Sequence, residues 1–213
     1  MRKMLLAAMV AAAVGAAQAV TVSWSTKQDL AVGATGSLPA GITPTNFTMA
    51  FVVTVTSQPT VLSRDMLVLT FNNNTNHAYP FQLRIGTHAN GSFHSEVGSD
   101  NNPERYPVAG NGTMLNEGKH VIGINVSYEN NSGNSKMSQT FQISIDGNAY
   151  GAKAQFSGTA WDTVTWSFNG FPEGLEAGWV TFAEGQVARE DLALLPEPTR
   201  RRGISYAVFC LKK

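Results

Sequence analysis

Cysteine, charge and long apolar runs are all scarce in this sequence of 213 residues. A single cysteine, Cys210, excludes an intramolecular disulfide framework, so an apolar core must hold the fold together. Charged residues make up 14% of the chain, and residues 20–199 contain 8 Lys and Arg against 15 Asp and Glu. Phosphate contacts require a basic surface, so nucleic acid is not an expected partner.

Sequence motifs for hydrolytic catalysis are also missing. Hydrolysis of a glycoside on a strand calls for alternating carboxylates such as Glu-x-Asp-x-Glu, because a strand displays residues i, i+2 and i+4 on one face. The nearest approaches, EVGSD at 96–100 and Glu190-Asp191, have the wrong spacing. There is no Gly-x-Ser-x-Gly motif, and Cys210 has no histidine near it in sequence. The sequence therefore predicts a protein that is not an enzyme.

The N-terminus has the pattern of an export signal. Arg2 and Lys3 precede a mostly apolar stretch of 14 residues at 4–17, and Ala17-Gln18-Ala19 is a small-x-small cleavage site. A membrane-spanning helix needs about 20 apolar residues, so the pattern predicts a cleaved signal peptide at 1–19 rather than an anchor. The alternative is an amphipathic helix of the mature fold. We expect export to the periplasm, outer cell surface or extracellular space, with no transmembrane span in the mature chain.

The body of the chain alternates apolar and polar residues with the period of β-strands. Residues 47–55 place Phe47, Met49 and Phe51 on one face, and residues 119–128 form the clearest half-buried pattern, with Gly123, Asn125 and Ser127 on the polar side. Residues 65–71 are apolar on both faces, which is typical of a central strand. Further strands are expected at 163–168 and 179–182, and one or two helical turns at 187–195.

Two hairpins are predicted from their turn residues. Asn90-Gly91 and Asp146-Gly147 supply the positive φ values that two-residue turns need. The second turn would pair Ile145 with Asn148. Closely spaced strands with almost no helix favour one antiparallel β-sandwich over residues 20–195 rather than a parallel α/β sheet.

The order of these motifs resembles concanavalin A-like, laminin-G-like jelly-roll domains. The resemblance rests on GKHVI at 118–122, ISIDG at 143–147, GWV at 178–180 and the helix-like VAREDL at 187–192. It implies a β-sandwich that binds carbohydrate or another surface ligand. Some relatives use calcium, which needs six to eight oxygen ligands. No run here resembles a calcium loop, so calcium stays open with its ligands unassigned.

The C-terminal segment resembles a degenerate PEP-CTERM sorting tail. Pro196, Glu197 and Pro198 match its first part, within LPEPT, and three arginines at 200–202 follow directly. The hydrophobic helix that should separate these parts is missing, because 204–211 is an eight-residue run. The alternative is a proline-rich linker with a solvated basic run at 196–213. If the tail functions, envelope sorting machinery is a partner.

Candidate ligand-binding residues lie in two polar segments. Amide groups match sugar hydroxyls, and an aromatic face stacks on a pyranose ring. The candidates are Asn74, Asn76, His77 and Tyr79 in one segment, and Trp161 and Asp162 in the other. The alternative is an ordinary asparagine-rich turn.

No metal site is assigned from the histidines. His88 and His94 flank Asn90-Gly91, and a two-residue turn would point their side chains to opposite faces, whereas a three-residue loop would place them together. His120 is expected to be a hydrogen-bonded core or edge residue.

These observations favour a non-enzymatic exported protein of the cell envelope or extracellular space that binds a glycan, an exopolysaccharide or another surface component. The alternatives are a structural or matrix protein without a specific ligand, and a divergent glycan-active enzyme whose carboxylates come from separate strands.

Overall fold

The computed structural model describes residues 22–58, 63–72, 81–88, 92–99, 106–107, 115–131, 136–158, 161–193 and 195. The described chain forms antiparallel strands and one short helix. In chain order these are β1 (Gln28–Asp29), β2 (Thr35–Ser37), β3 (Phe47–Val55), β4 (Ser63–Asn72), β5 (Phe81–Thr87), β6 (Phe93–Ser99), β7 (Tyr106–Pro107), β8 (Gly118–Asn131), β9 (Lys136–Ile145), β10 (Asn148–Gly158), β11 (Thr163–Phe168), β12 (Leu175–Glu184) and α1 (Arg189–Ala193).

The strands form two six-stranded sheets that pack face to face. Sheet A has the order β1-β12-β3-β8-β9-β10, and sheet B has the order β2-β11-β4-β5-β6-β7. Every strand pair is antiparallel. The predicted all-β jelly-roll sandwich is therefore confirmed. The predicted signal peptide and the C-terminal tail from 196 onward lie outside the described residues, and no described helix is long and apolar enough to cross a bilayer.

Strand predictions succeeded where alternation was long. β3 and β11 have the predicted bounds, and β4 is central in sheet B, as its two apolar faces indicated. Asp146 and Gly147 have φ values of 51° and 77°, and Ile145 pairs with Asn148 as predicted. β12 begins earlier than expected, and α1 is shorter. β1, β2 and β7 are two or three residues long, too short to show a period.

The main core lies between the sheets. It is filled by the inward-facing residues of both sheets, including Phe47, Phe51, Phe71, Phe141 and Phe168, each at most 1% exposed. At one edge the sheets are joined directly, since the Tyr150 hydroxyl of β10 donates to the Phe93 carbonyl of β6 over 2.8 Å. The two rings also meet edge to face.

A second apolar cluster covers the outer face of sheet A. It consists of Ala50, Val52, Val121, Ala183, Val187 and Leu192, with Val22, Trp24, Trp179 and Leu195 packed against it. The half-buried pattern predicted for β8 is therefore wrong over residues 121–126, which are buried on both faces. Gly123 lies under α1, where a Cβ would come within 2.5 Å of Leu192 Cδ1.

Candidate polar site on the outer face of sheet B

The connection between β5 and β6 is one residue longer than expected. Thr87 pairs with Phe93, Gly86 pairs with His94, and the His88 amide donates to the Ser92 carbonyl over 2.8 Å. Residues 89–91, which include the predicted Asn90-Gly91 turn, lie outside the described residues. The register nevertheless shows a three-residue loop, so the predicted two-residue turn is wrong, and the alternative that places both histidines on one face holds. One added residue moves the following side chains to the other face.

The two histidines contact each other on the outer face of sheet B. His88 Nε2 lies 3.0 Å from His94 Nδ1, with the rings edge to face at 4.4 Å between centroids. His94 Nε2 lies 3.2 Å from Glu96 Oε2. The side chains of His94 and Glu96 are only 11% and 7% exposed. The three groups therefore form a hydrogen-bonded chain that runs from His88, just after β5, into β6, where His94 and Glu96 are largely buried.

Arg84 of β5 is held by contacts from two directions. Its Nε donates to Gln82 Oε1 over 2.9 Å, and its Nη1 donates to Asp65 Oδ1 over 3.1 Å. Asp65 reaches this face because the register of β4 against β5 shifts between Ser63 and Leu67. A planar guanidinium that is hydrogen-bonded along two edges keeps a fixed orientation.

The strand register of sheet B places Arg84 beside the chain of His88, His94 and Glu96. Arg84 is the direct cross-strand partner of Glu96, and residues directly opposite in an antiparallel pair lie about 4.5–5.5 Å apart at Cβ. On its other side Arg84 pairs with Val68 of β4. We call this surface the polar face; its members are Asp65, Gln82, Arg84, His88, His94 and Glu96.

No group of three or more His, Cys, Asp or Glu side chains in the described ranges is arranged to hold a metal ion. The members of the polar face are joined by hydrogen bonds and carry charges of both signs. On sheet A, burial raises the pKa of the Tyr128 phenol above its usual value.

The two segments predicted to bind sugar start from neighbouring points of sheet B. Asn74, Asn76, His77 and Tyr79 lie outside the described residues. Asn72, the last residue of β4, pairs with Thr163, and its carbonyl accepts from the Asp162 amide over 2.9 Å. The chain therefore enters the first segment beside Asp162, which is exposed. The proposed roles of these residues stay predictions.

Trp161 is packed into the end of the core. Its ring stacks on Phe81 at 5.5 Å and 24°, and it lies 5.7 Å from Phe71. The residue is 8% exposed, and its buried Nε1 has no hydrogen-bond partner among the described residues. The predicted stacking of a sugar on this ring stays a prediction.

Sequence reasoning missed Arg84, Gln82 and Asp65. A signal was present, because Gln82 and Arg84 are polar residues that alternate with the apolar positions of FQLRI. Such alternation predicts a polar outer face but cannot say which residues of other strands will meet it. Asp65 was harder to anticipate, since it depends on an irregularity within β4.

No protein-family model matches this sequence, and no curated protein matches it. Among solved structures, the CBM40 of Ruminococcus gnavus IT-sialidase is 12% identical, with a TM-score of 0.46, over 82% of this chain and 98% of that one. Trypanosoma rangeli sialidase in complex with the inhibitor DANA is 12% identical, with a TM-score of 0.45, over 70% of this chain and 22% of that chain. An alginate lyase of Pseudomonas aeruginosa is 14% identical, with a TM-score of 0.34, over 67% of this chain and 66% of that one.

Proposed function

We propose that this is a non-enzymatic, exported protein that binds carbohydrate through the polar face of sheet B. One observation carries the proposal: a guanidinium, an amide and a carboxylate lie together in fixed positions on an outer sheet face. Sugar hydroxyls both donate and accept hydrogen bonds. Arg84 supplies donors, Glu96 supplies acceptors and Gln82 supplies both.

The fixed orientation of these groups supports a binding role. A carboxylate such as Glu96, 7% exposed, is costly to remove from water unless hydrogen bonds compensate for the lost hydration. Threonines or lysines on an outer strand face would fold without that cost. Groups that are already oriented lose little conformational entropy when a ligand binds. The contacts of Arg84 with Gln82 and Asp65 provide such preorganisation.

The direct test is a glycan-array assay on the full chain, comparing the wild type with Arg84→Gln. Glutamine keeps hydrogen-bonding capacity but removes the planar charge, so we expect selective binding to weaken by about tenfold or more. The matched control is Lys119→Gln, which removes one exposed positive charge on sheet A and should leave binding unchanged. Equal loss in both variants would show that the polar face is not the site.

Two further arms of the assay separate the alternatives. A chelator that abolishes binding would reveal a calcium requirement. A blank array from folded wild-type protein would contradict the proposal and favour a structural or matrix role. Binding weakened by Tyr79→Ala or Trp161→Ala, in variants shown to be folded, would extend the site to the segments predicted from sequence.

A glycan-active enzyme is a second candidate, favoured by one observation. Asp65 from β4 and Glu96 from β6 flank Arg84, and Glu96 contacts the imidazole of His94. Carboxylates from separate strands can serve as an acid and base pair. Release of reducing ends from a glycan that binds on the array, abolished in Glu96→Gln, would establish this activity. If no reducing ends are released, carbohydrate binding remains the proposed function.

A further inference from the structure

His120 has acceptor groups at both of its ring nitrogens. It lies near the start of β8, where its Nδ1 is 2.6 Å from Asp146 Oδ2 and its Nε2 is 2.7 Å from the Asn116 carbonyl oxygen. The side chain is 14% exposed. His120 is therefore hydrogen-bonded, as expected, and it lies near the start of an interior strand of sheet A.

Contacts with Val121 hold the Asp146 carboxylate in place. The other oxygen of Asp146 accepts from the Val121 amide over 2.8 Å, and the Asp146 amide donates to the Val121 carbonyl over 2.9 Å. Asp146 also occupies the first position of a two-residue turn, with a positive φ. The carboxylate therefore cannot turn away from the ring without loss of turn contacts.

The contacts determine how many protons the ring carries. A carbonyl oxygen only accepts, so Nε2 must bear a hydrogen to bond Asn116. A carboxylate also only accepts, and a neutral imidazole has one N–H in total. With Asp146 as a carboxylate, both bonds can form together only when the ring is an imidazolium, which carries an N–H at each nitrogen.

We propose that His120 is a pH-dependent latch that ties segment 115–117 to the turn between β9 and β10. When the imidazolium releases one proton to water, a lone pair faces either Asp146 or the Asn116 carbonyl at under 3 Å. That contact becomes repulsive, so the tie between the Asn116 carbonyl and the turn weakens, while Leu115 stays buried in the main core. Leu115, Asn116, His120, Asp146, Asn148 and Tyr150 line an open pocket of about 230 Å³ here, so its shape changes with the latch.

The other titratable groups around the ring do not replace either acceptor. Glu117 and Lys119 are exposed neighbours in the chain, and the Tyr150 hydroxyl donates to the Phe93 carbonyl. β3, whose Val53 pairs with His120, has no titratable side chain. Asp146 is thus the charged partner of the ring in the described part of the chain.

The test is a nitrogen-15 NMR titration of the full chain from pH 5 to pH 9, following the His120 ring nitrogens and the amides of residues 115–117. We expect both ring nitrogens to be protonated at the acid end, and the amide shifts to move with the ring titration. After correction for intrinsic exchange, these amides should exchange about three- to tenfold faster once the ring is neutral, as expected for one lost hydrogen bond.

Two variants give independent controls. In His120→Gln the amides should lose this pH response. Asp146→Asn suits the same turn, since Asn-Gly also adopts it, and should weaken the response while the fold is kept. A ring whose protonation does not change between pH 5 and pH 9, or a ring titration that leaves the amides unmoved, would overturn the latch.

Discussion

The two outer faces of the sandwich show how similar strand patterns lead to opposite surfaces. The outer face of sheet A lies beneath a second apolar cluster, to which α1 contributes Leu192 and the chain after β12 contributes Val187. The outer face of sheet B carries the polar face, built around Arg84 and Glu96. The first arrangement stabilises the fold, whereas the second retains charged groups at a desolvation cost and is therefore the better candidate for a ligand site.

Polar residues beneath the second apolar cluster on sheet A form hydrogen bonds within the chain. Thr48 is fully buried, and its hydroxyl lies 2.6 Å from Asn125 Oδ1 while accepting from the Val187 amide over 2.9 Å. The Asn125 side-chain amide donates to the Val187 carbonyl over 3.1 Å. These bonds attach the segment before α1 to β3 and β8, so the cover has a fixed position on the sheet.

The largest loss of stability should come from truncating a side chain that covers the outer face of sheet A. Leu192→Ala deletes a side chain that is 1% exposed, and such truncations cost about 2–5 kcal/mol of unfolding free energy. Urea denaturation measures the loss. The control is Val32→Ala, since Val32 is 78% exposed and its truncation should change stability by less than about 0.5 kcal/mol. Equal effects would show that α1 does not pack on sheet A.

A matched pair of threonine substitutions compares the two faces directly. Thr48→Val keeps the shape but leaves the buried Val187 amide without its acceptor, which should cost about 1–3 kcal/mol. Thr165→Val places the same substitution on the partly exposed outer face of sheet B, where we expect less than about 0.5 kcal/mol. Thermal and urea unfolding of both variants would measure the difference, and a larger loss from Thr165→Val would reverse the comparison.

A smaller loss of stability is expected from a substitution at the contact between α1 and β8. Gly123→Ala adds a Cβ that would lie 2.5 Å from Leu192 Cδ1 and 2.7 Å from Ser144 Oγ. Because both atoms are ends of side chains that can shift, we expect a loss of about 1 kcal/mol, at the low end for overpacking. In a double-mutant cycle with Leu192→Ala, the Gly123→Ala cost should shrink. Strictly additive losses would contradict the close contact.

Much of the fold could be predicted from periodicity, and the reason is visible in particular strands. β3 and β11 pair along their length and each keeps one continuous apolar face, so their alternation reports the face that meets the core. The Asp146-Gly147 turn was predictable because its backbone requires residues that tolerate positive φ. β1, β2 and β7 carry no such local signal.

The candidate site was much less predictable. Sequence analysis selected residues 74–79 and 161–162, whereas the described polar face centres on Arg84, which sequence analysis did not select. Loop length decided part of the difference: three residues between His88 and Ser92 put both histidines on one face. A sequence pattern that tolerates either two or three loop residues does not determine that face.

The sequence by itself determined the all-β class, the antiparallel pairing around Asp146-Gly147 and the inward face of each long strand, because these follow from local backbone preference and a two-residue period. Only the tertiary structure decided which outer face is covered. The Val121-to-Asn125 stretch of β8 has the pattern of a solvent-facing strand, yet Leu192, far along the chain, buries it. Likewise, Arg84, Asp65 and Glu96 become one site only when three strands take their register. Local sequence specifies the two faces of a strand, whereas distant segments decide what each face meets.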